Sequence, residues 1–343
     1  MDVGLADKDS HPLLRMDKAR LIHASLSLGT WAKYRAGWNR LVKFELATGS
    51  KYSWPLKKSV LRDFAVFCIC KKKLKAGSVR SYLAALSCLH RLRGWHDFEV
   101  KDTTRNAILR GGTNLSLASG SFSSSTRRVM TIPLLRLLGH RLKKSGWSQL
   151  TTQAVWSCSL LAFFGTFRMG ELLAPGSFTI DPACTLTWAN MKLREDNSFL
   201  VHIRLPKMGT IEGEFVDIFP LPDKSLCPVE ALKKHKQLQI EAGLGKKEDT
   251  VFALGQENYL TTRKFNEILR IVLTGVVDFK RDSISCHSFR AGLPSLISRH
   301  PDLMTSEDVK GWGRWSSEAY QRYTRLKFDQ KKTIHNKIVE IIL

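Results

Sequence analysis

The 343-residue sequence predicts a mainly α protein with a small antiparallel sheet, arranged as two domains. Three observations carry that expectation. Apolar residues recur three and four apart through most of the chain, the period of an amphipathic helix. One block alternates apolar and polar residues in three short runs, "TLTWANMKL", "SFLVHIRLP" and "EGEFVDIFPL", as half-buried strands do. The Gly- and Ser-rich stretch "GGTNLSLASGSFSSSTRR" (111–128) has the composition of a flexible linker.

Residues 1–24 read as an N-terminal arm that ends in a short helix. In "LGTWAKYRAGWNRLVKFELATG" the apolar stripe is Trp31, Tyr34, Trp38, Leu41, Val42 and Leu46, with Lys33, Arg35, Arg40 and Lys43 elsewhere around the helix and Gly49 at its end. Two further helices follow, "KKSVLRDFAVFCICKKK" and "SVRSYLAALSCLHRLRG", the second with Ser78 as N-cap and Gly94 as its stop. Residues 25–112 then form an all-helical basic domain, 113–128 the linker and 129–343 a mixed α/β domain. Within that second domain helices are expected at about 131–145 and 150–173, then the three strands, then helices at about 228–242, 261–275, 287–299 and from 305 onward.

Lys and Arg exceed Asp and Glu by 23, and the isoelectric point is near 9.9. Such an excess speaks of partners: a polyanion, nucleic acid first and an acidic membrane surface second. The first 112 residues hold 22 Lys and Arg against 9 Asp and Glu, so the N-terminal third is the more basic. Seven cysteines, an odd number with no CxxC pair, argue against a disulfide framework or zinc ribbon and for a reducing compartment. The longest apolar run, "LLAFFGTF", is far short of the ~20 residues that span a bilayer. A soluble intracellular protein is expected.

Phosphodiester chemistry commonly uses divalent cations held by Asp and Glu. The best acidic group is Glu212, Glu214 and Asp217 in "IEGEFVD", which reads more simply as a solvated strand face. No P-loop, GxSxG or HExxH occurs. What remains is cationic. "GTFRMGELLAP" sets Arg168 in apolar surroundings with Glu171 one turn on; "LPKMGTIEG" puts Lys207 in a strand turn; "CHSFRAG" spaces His287 and Arg290 three apart, on one helical face. "GWGRWSSEAYQRYTR" (311–325) then packs two Trp, two Tyr and three Arg around a single Glu318. Each has a plain structural explanation: an ion pair, a satisfied histidine, a turn lysine, a half-buried tyrosine. Arg168 is the exception, because an unpaired guanidinium among apolar neighbours is costly unless something anionic meets it.

Taken together, Arg in "RMGEL", Lys in a strand turn, "HSFR", and a Gly-Arg pair nine residues before Tyr323 resemble the tyrosine recombinases, the phage-integrase family of DNA strand-exchange enzymes. The resemblance covers about 300 residues, since "TWAKYRAGWNRLVKF" and "SVRSYLAALSCLHRLRG" are similar to that family's core-binding domain. "HSFRAG" and "GRWSSEAYQRYTR" look closest to the eukaryotic mobile-element branch of DIRS and Crypton type. The resemblance implies a two-domain clamp around duplex DNA, a helical core-binding domain and a catalytic domain, with no cofactor and no metal. It further implies Arg168, Lys207, His287, Arg290, Arg314 and Tyr323 as the catalytic set, supported by Glu171 and Trp315.

The chemistry explains the residue types. Attack on a phosphodiester adds charge to the non-bridging oxygens, and without a metal that charge must meet preorganised cations. Arginine's planar fork donates two hydrogen bonds to a phosphate while staying charged. Tyrosine, with an ordinary pKa of about 10, is a weak nucleophile at neutral pH, and surrounding guanidiniums stabilise its phenolate. By the resemblance Tyr323 becomes joined to the 3′ phosphate, and Lys207 protonates the leaving 5′ oxygen.

Two points depart from the family pattern. The position nine residues before the nucleophile usually holds His or Trp, and here it is Arg314 with Trp315 next to it; either Arg314 donates to the phosphate itself or a one-residue shift lets Trp315 fill the role, and the count favours Arg314. Tyr320 lies one turn before Tyr323, and spacing favours Tyr323. Lys75, Ser78 and Arg80 at a helix start, and Arg127 and Arg128 in the linker, are candidate DNA contacts. The tail "FDQKKTIHNKIVEIIL" carries Ile334, Ile338, Ile341 and Ile342 on one stripe, which either closes its own domain or docks into a neighbouring protomer. Expected partners are double-stranded DNA and copies of the same chain, a dimer on one site and a tetramer in synapsis, with no membrane. The location is nuclear in a eukaryote and cytoplasmic otherwise. A type IB topoisomerase and a domesticated, non-catalytic DNA-binding protein are the alternatives.

Overall fold

The computed structural model describes residues 11–26, 28–95, 102–119, 129–181, 184–204, 212–276, 284–297, 305, 308, 311–312 and 328–342. The chain divides into two compact units, Met1–Ser124 and Ser125–Leu343.

The first unit is helical. Helix α1 (Arg15–Ala24) buries no side chain, and meets α2 (Leu28–Thr48) where the His23 ring stacks on Trp31 at 5.5 Å and the Trp31 indole donates to the His23 carbonyl at 2.8 Å. Helix α2 buries Leu41 and Phe44, with Trp31, Tyr34 and Trp38 half-buried, but Val42 and Leu46 face solvent, Leu46 at 77% exposure. The stripe is therefore rotated toward Phe44 from the one expected. That rotation follows α4 (Ala76–Leu92), whose Tyr82 and Ala85 approach α2 at Gly37. Helix α3 (Lys58–Val66) continues into a π-helical turn, Phe67–Lys71.

Helix α4 starts earlier than expected. Lys75 is its N-cap residue and makes no side-chain cap, so Ser78 lies inside the first turn. The first part of the expected linker is helical, since α5 (Thr103–Ala118) runs through 113–118, and its remainder at 120–128 lies outside the described residues. Asp102 caps it by accepting from the Arg105 amide at 3.0 Å, and receives a two-pronged contact from Arg62 Nε and Nη2. Gly112 permits close packing, because a Cβ there would lie 2.8 Å from an Ile69 methyl. Thr113 and Ser116 turn their hydroxyls back onto the carbonyls of Leu109 and Gly112. Polar composition resembling a linker is thus absorbed inside the helix.

The second unit is built around α7 (Gln149–Phe164), which is buried on nearly every side from Gln153 onward, as a helix with apolar residues all round must be. Its three buried polar residues are satisfied: Gln153 Nε2 and Ser157 Oγ both donate to the Ala231 carbonyl on α9 (Pro228–Glu241), at 3.0 and 2.8 Å, and Ser159 Oγ donates to the Val155 carbonyl at 2.7 Å. Helix α6 (Ile132–Lys143) starts at a Thr131 cap followed by Pro133. Where one helix was expected over 150–173, α7 stops at Gly165, the chain turns, and a short α8 (Met169–Leu172) follows.

The sheet is antiparallel in the order β1 (Met191–Leu193), β2 (Phe199–Ile203), β3 (Glu214–Ile218), and Ile203 pairs with Glu214 at the end of the β2–β3 hairpin where the chain connects the two strands. The strand expected from 185 begins only at Met191, after a 3-10 turn at Trp188–Asn190. A second hairpin, β4 (Ala253–Gly255) with β5 (Asn258–Tyr259), was not foreseen. Helices α10 (Thr262–Val272), α11 (Cys286–Arg290) and α12 (Gly292–Ile297) follow, and α13 (Phe328–Ile342) closes the described chain.

Helix α13 buries Ile334, Ile338 and Ile342 in the core of its own unit. Lys331 reaches Asp217 at 2.6 Å beside Arg194 at 2.7 Å, and His335 Nε2 donates to the Pro220 carbonyl at 2.7 Å. Asp217 is thus buried between two cations rather than lying on a solvated strand face.

His235 on α9 is fully buried, donating Nε2–H to the Val251 carbonyl at 2.7 Å and stacked on Phe252. Burial pushes its pKa down to about 4, partly opposed by the Val251 hydrogen bond. An unfolded histidine titrates near 6.5, so between about 6.5 and 4 the unfolded chain binds a proton that the folded chain refuses. The stability from this site is complete above about 6.5 and falls by about 3 kcal/mol as the pH drops through that window. Urea unfolding of His235→Gln should show a shallower acid dependence than the unaltered chain; equal slopes would rule the histidine out as the cause.

Candidate active site

The end of α7 organises the site. After Phe164 and Gly165 the chain enters a left-handed turn at Thr166, with φ of 50°, and reaches Arg168, the N-cap residue of α8. Glu171, three residues into α8, is the partner that fixes Arg168. One carboxylate oxygen accepts from the Arg168 backbone amide at 2.9 Å, and the other accepts from its guanidinium Nη1 at 2.8 Å. The carboxylate side chain is 5% exposed and the guanidinium side chain 25%. A buried carboxylate with two donors aligned on it holds the arginine in one pose. The helix start and the ion pair are the same feature, and the sequence spacing anticipated the pair.

Arg290 arrives from α11, five residues long. Its placement is enforced by packing. Phe289 is fully buried against Phe265 in an edge contact at 5.5 Å, the Met130 amide donates to the Ser288 carbonyl at 2.9 Å, and the Cys286 amide donates to Asn266 at 3.0 Å. Arg290 is 8% exposed and donates from Nη1 to the Thr166 carbonyl at 2.7 Å. Two arginines 122 positions apart therefore share one turn: Arg290 bonds a carbonyl two residues from Arg168.

His287 is exposed, unlike Arg290. Residues three apart differ by about 60° around a helix, and here that rotation puts Arg290 inside and His287 on the rim. The expectation of a common face holds only loosely.

A third segment meets the same turn, and sequence reasoning missed it. Trp312 donates its indole N–H to the Phe164 carbonyl at 3.2 Å and accepts from the Thr166 hydroxyl on its own carbonyl at 3.2 Å. Its only sequence signal was membership of the aromatic and basic stretch at 311–325. Lys207, Arg314, Trp315, Tyr320, Tyr323, Arg127 and Arg128 lie outside the described residues. Lys75, Ser78 and Arg80 are exposed around the first turn of α4.

Each of the two guanidiniums is anchored by its own acceptor, Arg168 by the Glu171 carboxylate and Arg290 by the Thr166 carbonyl. Among the described residues there is no group of three His, Cys, Asp or Glu side chains that could hold a metal ion, and no helix long and apolar enough to cross a membrane.

No family model matches the sequence, and no curated protein is significantly similar to it. Solved structures are. The XerH site-specific recombinase bound to difH substrate, in a pre-cleavage complex, is 14% identical with a TM-score of 0.53, covering 89% of this chain and 78% of its own. The Tn1549 transposon integrase in complex with transposon right end DNA is 13% identical with a TM-score of 0.52, covering 94% and 98%. A lambda integrase dimer bound to a COC′ core site is 14% identical with a TM-score of 0.51, covering 92% and 79%. At such identities the likeness is one of fold, and the mainly helical chain with its small antiparallel sheets has the fold of the tyrosine recombinases and integrases.

Proposed function

We propose that the protein is a site-specific DNA recombinase that cleaves and rejoins strands through a 3′-phosphotyrosyl intermediate, and that it integrates or excises a mobile element of DIRS or Crypton type. The observation that carries this reading is the junction of Arg168 and Arg290 on the Thr166 turn. Two guanidiniums fixed by separate anchors suit a phosphorane whose extra charge lies on non-bridging oxygens. In the proposed step the Tyr323 hydroxyl oxygen bonds to phosphorus, the bond from phosphorus to the 5′ oxygen breaks, and Lys207 supplies the proton that the 5′ oxygen takes up. The phenolic proton leaves to solvent or to His287, which sits exposed at the rim of α11. Arg314 joins the two arginines on the same phosphate. The phosphotyrosine conserves the bond energy, so a second strand's 5′ hydroxyl reverses the step without a nucleotide cofactor.

The strongly basic chain, with its excess concentrated in the first 112 residues, suits binding through the phosphate backbone, with an affinity that falls steeply as salt rises. Lys75, Ser78, Arg80, Arg127 and Arg128 are the proposed contacts. A dimer on one site and a tetramer in synapsis complete the proposal.

The test is a suicide duplex with a nick that lets the cleaved 5′ fragment diffuse away. An SDS-resistant protein–DNA band is expected, unaffected by chelator, lost in Tyr323→Phe and retained in Tyr320→Phe. The reverse pattern would move the nucleophile to Tyr320. Salt-sensitive binding with no band in any version would leave a DNA-binding protein without strand-cleaving activity, and plasmid relaxation by a monomer without recombination would identify a topoisomerase.

A further inference from the structure

Thr166 poses a physical question that the arginines do not answer. Its φ of 50° is unfavourable for a β-branched residue and costs glycine nothing. The backbone therefore gives no reason for threonine, and the side chain does. The Thr166 residue is wholly buried, and its hydroxyl donates to the Trp312 carbonyl at 3.2 Å. Trp312 returns the contact in the other direction, its indole N–H reaching the Phe164 carbonyl at 3.2 Å. Phe164 is the last residue of α7, and carbonyls in a helix's final turn have no amide partner inside the helix. Two bonds running in opposite senses thus clasp residue 312 to the turn, while the Thr166 carbonyl holds Arg290 Nη1 and the chain leaves the turn toward Arg168.

Resting on the recombinase reading above, we propose that Thr166 and Trp312 are positioning residues for strand cleavage. The clasp seats Trp312, two residues before Arg314 in the sequence, on the turn that anchors Arg290 and leads into Arg168. Residues from three distant parts of the chain thus meet at one turn, and misplacing reacting groups by about 1 Å can cost about a hundredfold in rate.

The experiment measures the rate of covalent adduct formation on the nicked duplex, the affinity for intact duplex and the thermal midpoint, for the unaltered chain, Thr166→Gly, Thr166→Ser and Trp312→Phe. Thr166→Gly removes the hydroxyl and the left-handed strain together. It is expected to slow adduct formation by at least about tenfold with DNA affinity unchanged and the midpoint kept within about 3 °C, since relief of strain offsets the extra freedom of the unfolded chain. Trp312→Phe should slow the reaction likewise, and Thr166→Ser, which keeps the donor, should recover most of the rate. A normal rate in Thr166→Gly overturns the inference alone. A rate loss matched by an equal collapse of the midpoint also overturns it, because the hydroxyl would then serve stability only. No adduct from the unaltered chain overturns the recombinase reading and this inference with it.

Discussion

Replacing Arg290 by methionine is expected to slow adduct formation by about a hundred- to a thousandfold, while affinity for duplex DNA changes little. Methionine fills much of the arginine's volume, so the packing of Phe289 against Phe265 should survive. What disappears is a positive charge at the proposed phosphate and the donor to the Thr166 carbonyl. The first loss acts on the transition state, where charge builds on the non-bridging oxygens. The second leaves a buried carbonyl without that donor, a cost of about 1–3 kcal/mol. On the proposed reading, binding would be spread over many phosphate contacts, and losing one would move the affinity far less than the rate. Arg290→Lys should also fail, since one ammonium on a flexible stem does not reproduce a planar fork that holds the Thr166 carbonyl and, in the proposed site, would also meet the phosphate. The measurement is single-turnover adduct formation beside an equilibrium binding curve. Equal losses in both would mean that Arg290 serves binding rather than chemistry.

How far this arrangement was legible in the sequence depends on the kind of contact. Arg168 and Glu171 were legible because a pair three apart on a helix start is a local matter, and the structure adds only that the carboxylate also caps the helix. Strand β2 was legible because its burial alternates with a period of two, whereas β3 buries Val216, Asp217 and Ile218 in a row, with Asp217 held by Arg194 and Lys331. Phe44 was missed in favour of Val42 and Leu46, since an apolar residue's helical face depends on where α4 lies. The break at Gly165 was missed for a related reason: "LLAFFGTF" stays apolar through the turn, and burial of Phe164, Thr166 and Phe167 alike conceals a change of direction from any periodicity argument. The helix across 111–118 was hidden by its composition, because Ser and Thr hydroxyls folded back on the helix look, in sequence, like a linker. Trp312 had no local signature beyond its place in the aromatic and basic stretch at 311–325. Its role comes from two hydrogen bonds to residues 148 and 146 positions away.

Gly292→Ala is expected to destabilise the second unit by about 2–3 kcal/mol and to remove adduct formation with it. The glycine sits at the start of α12, directly after the helix that carries Arg290. A Cβ at that position would lie 2.3 Å from Phe163 Cε2 and 2.5 Å from the Met130 carbonyl oxygen. Neither neighbour yields cheaply. Phe163 is a fully buried ring on the central helix α7, and the Met130 residue is tied to α11 by its amide bond to Ser288. The methyl must therefore push α12 and α11 away from α7, and Arg290 would move off the Thr166 carbonyl as a consequence. Gly170→Ala supplies the control, because nothing lies within 4 Å of a Cβ there and the residue is exposed within α8. That substitution should leave stability unchanged or raise it by up to about 1 kcal/mol. Urea unfolding of both variants decides the matter: if Gly292→Ala unfolds at the same midpoint as Gly170→Ala, α11 is free to shift and the rigid seating of Arg290 is lost as an explanation.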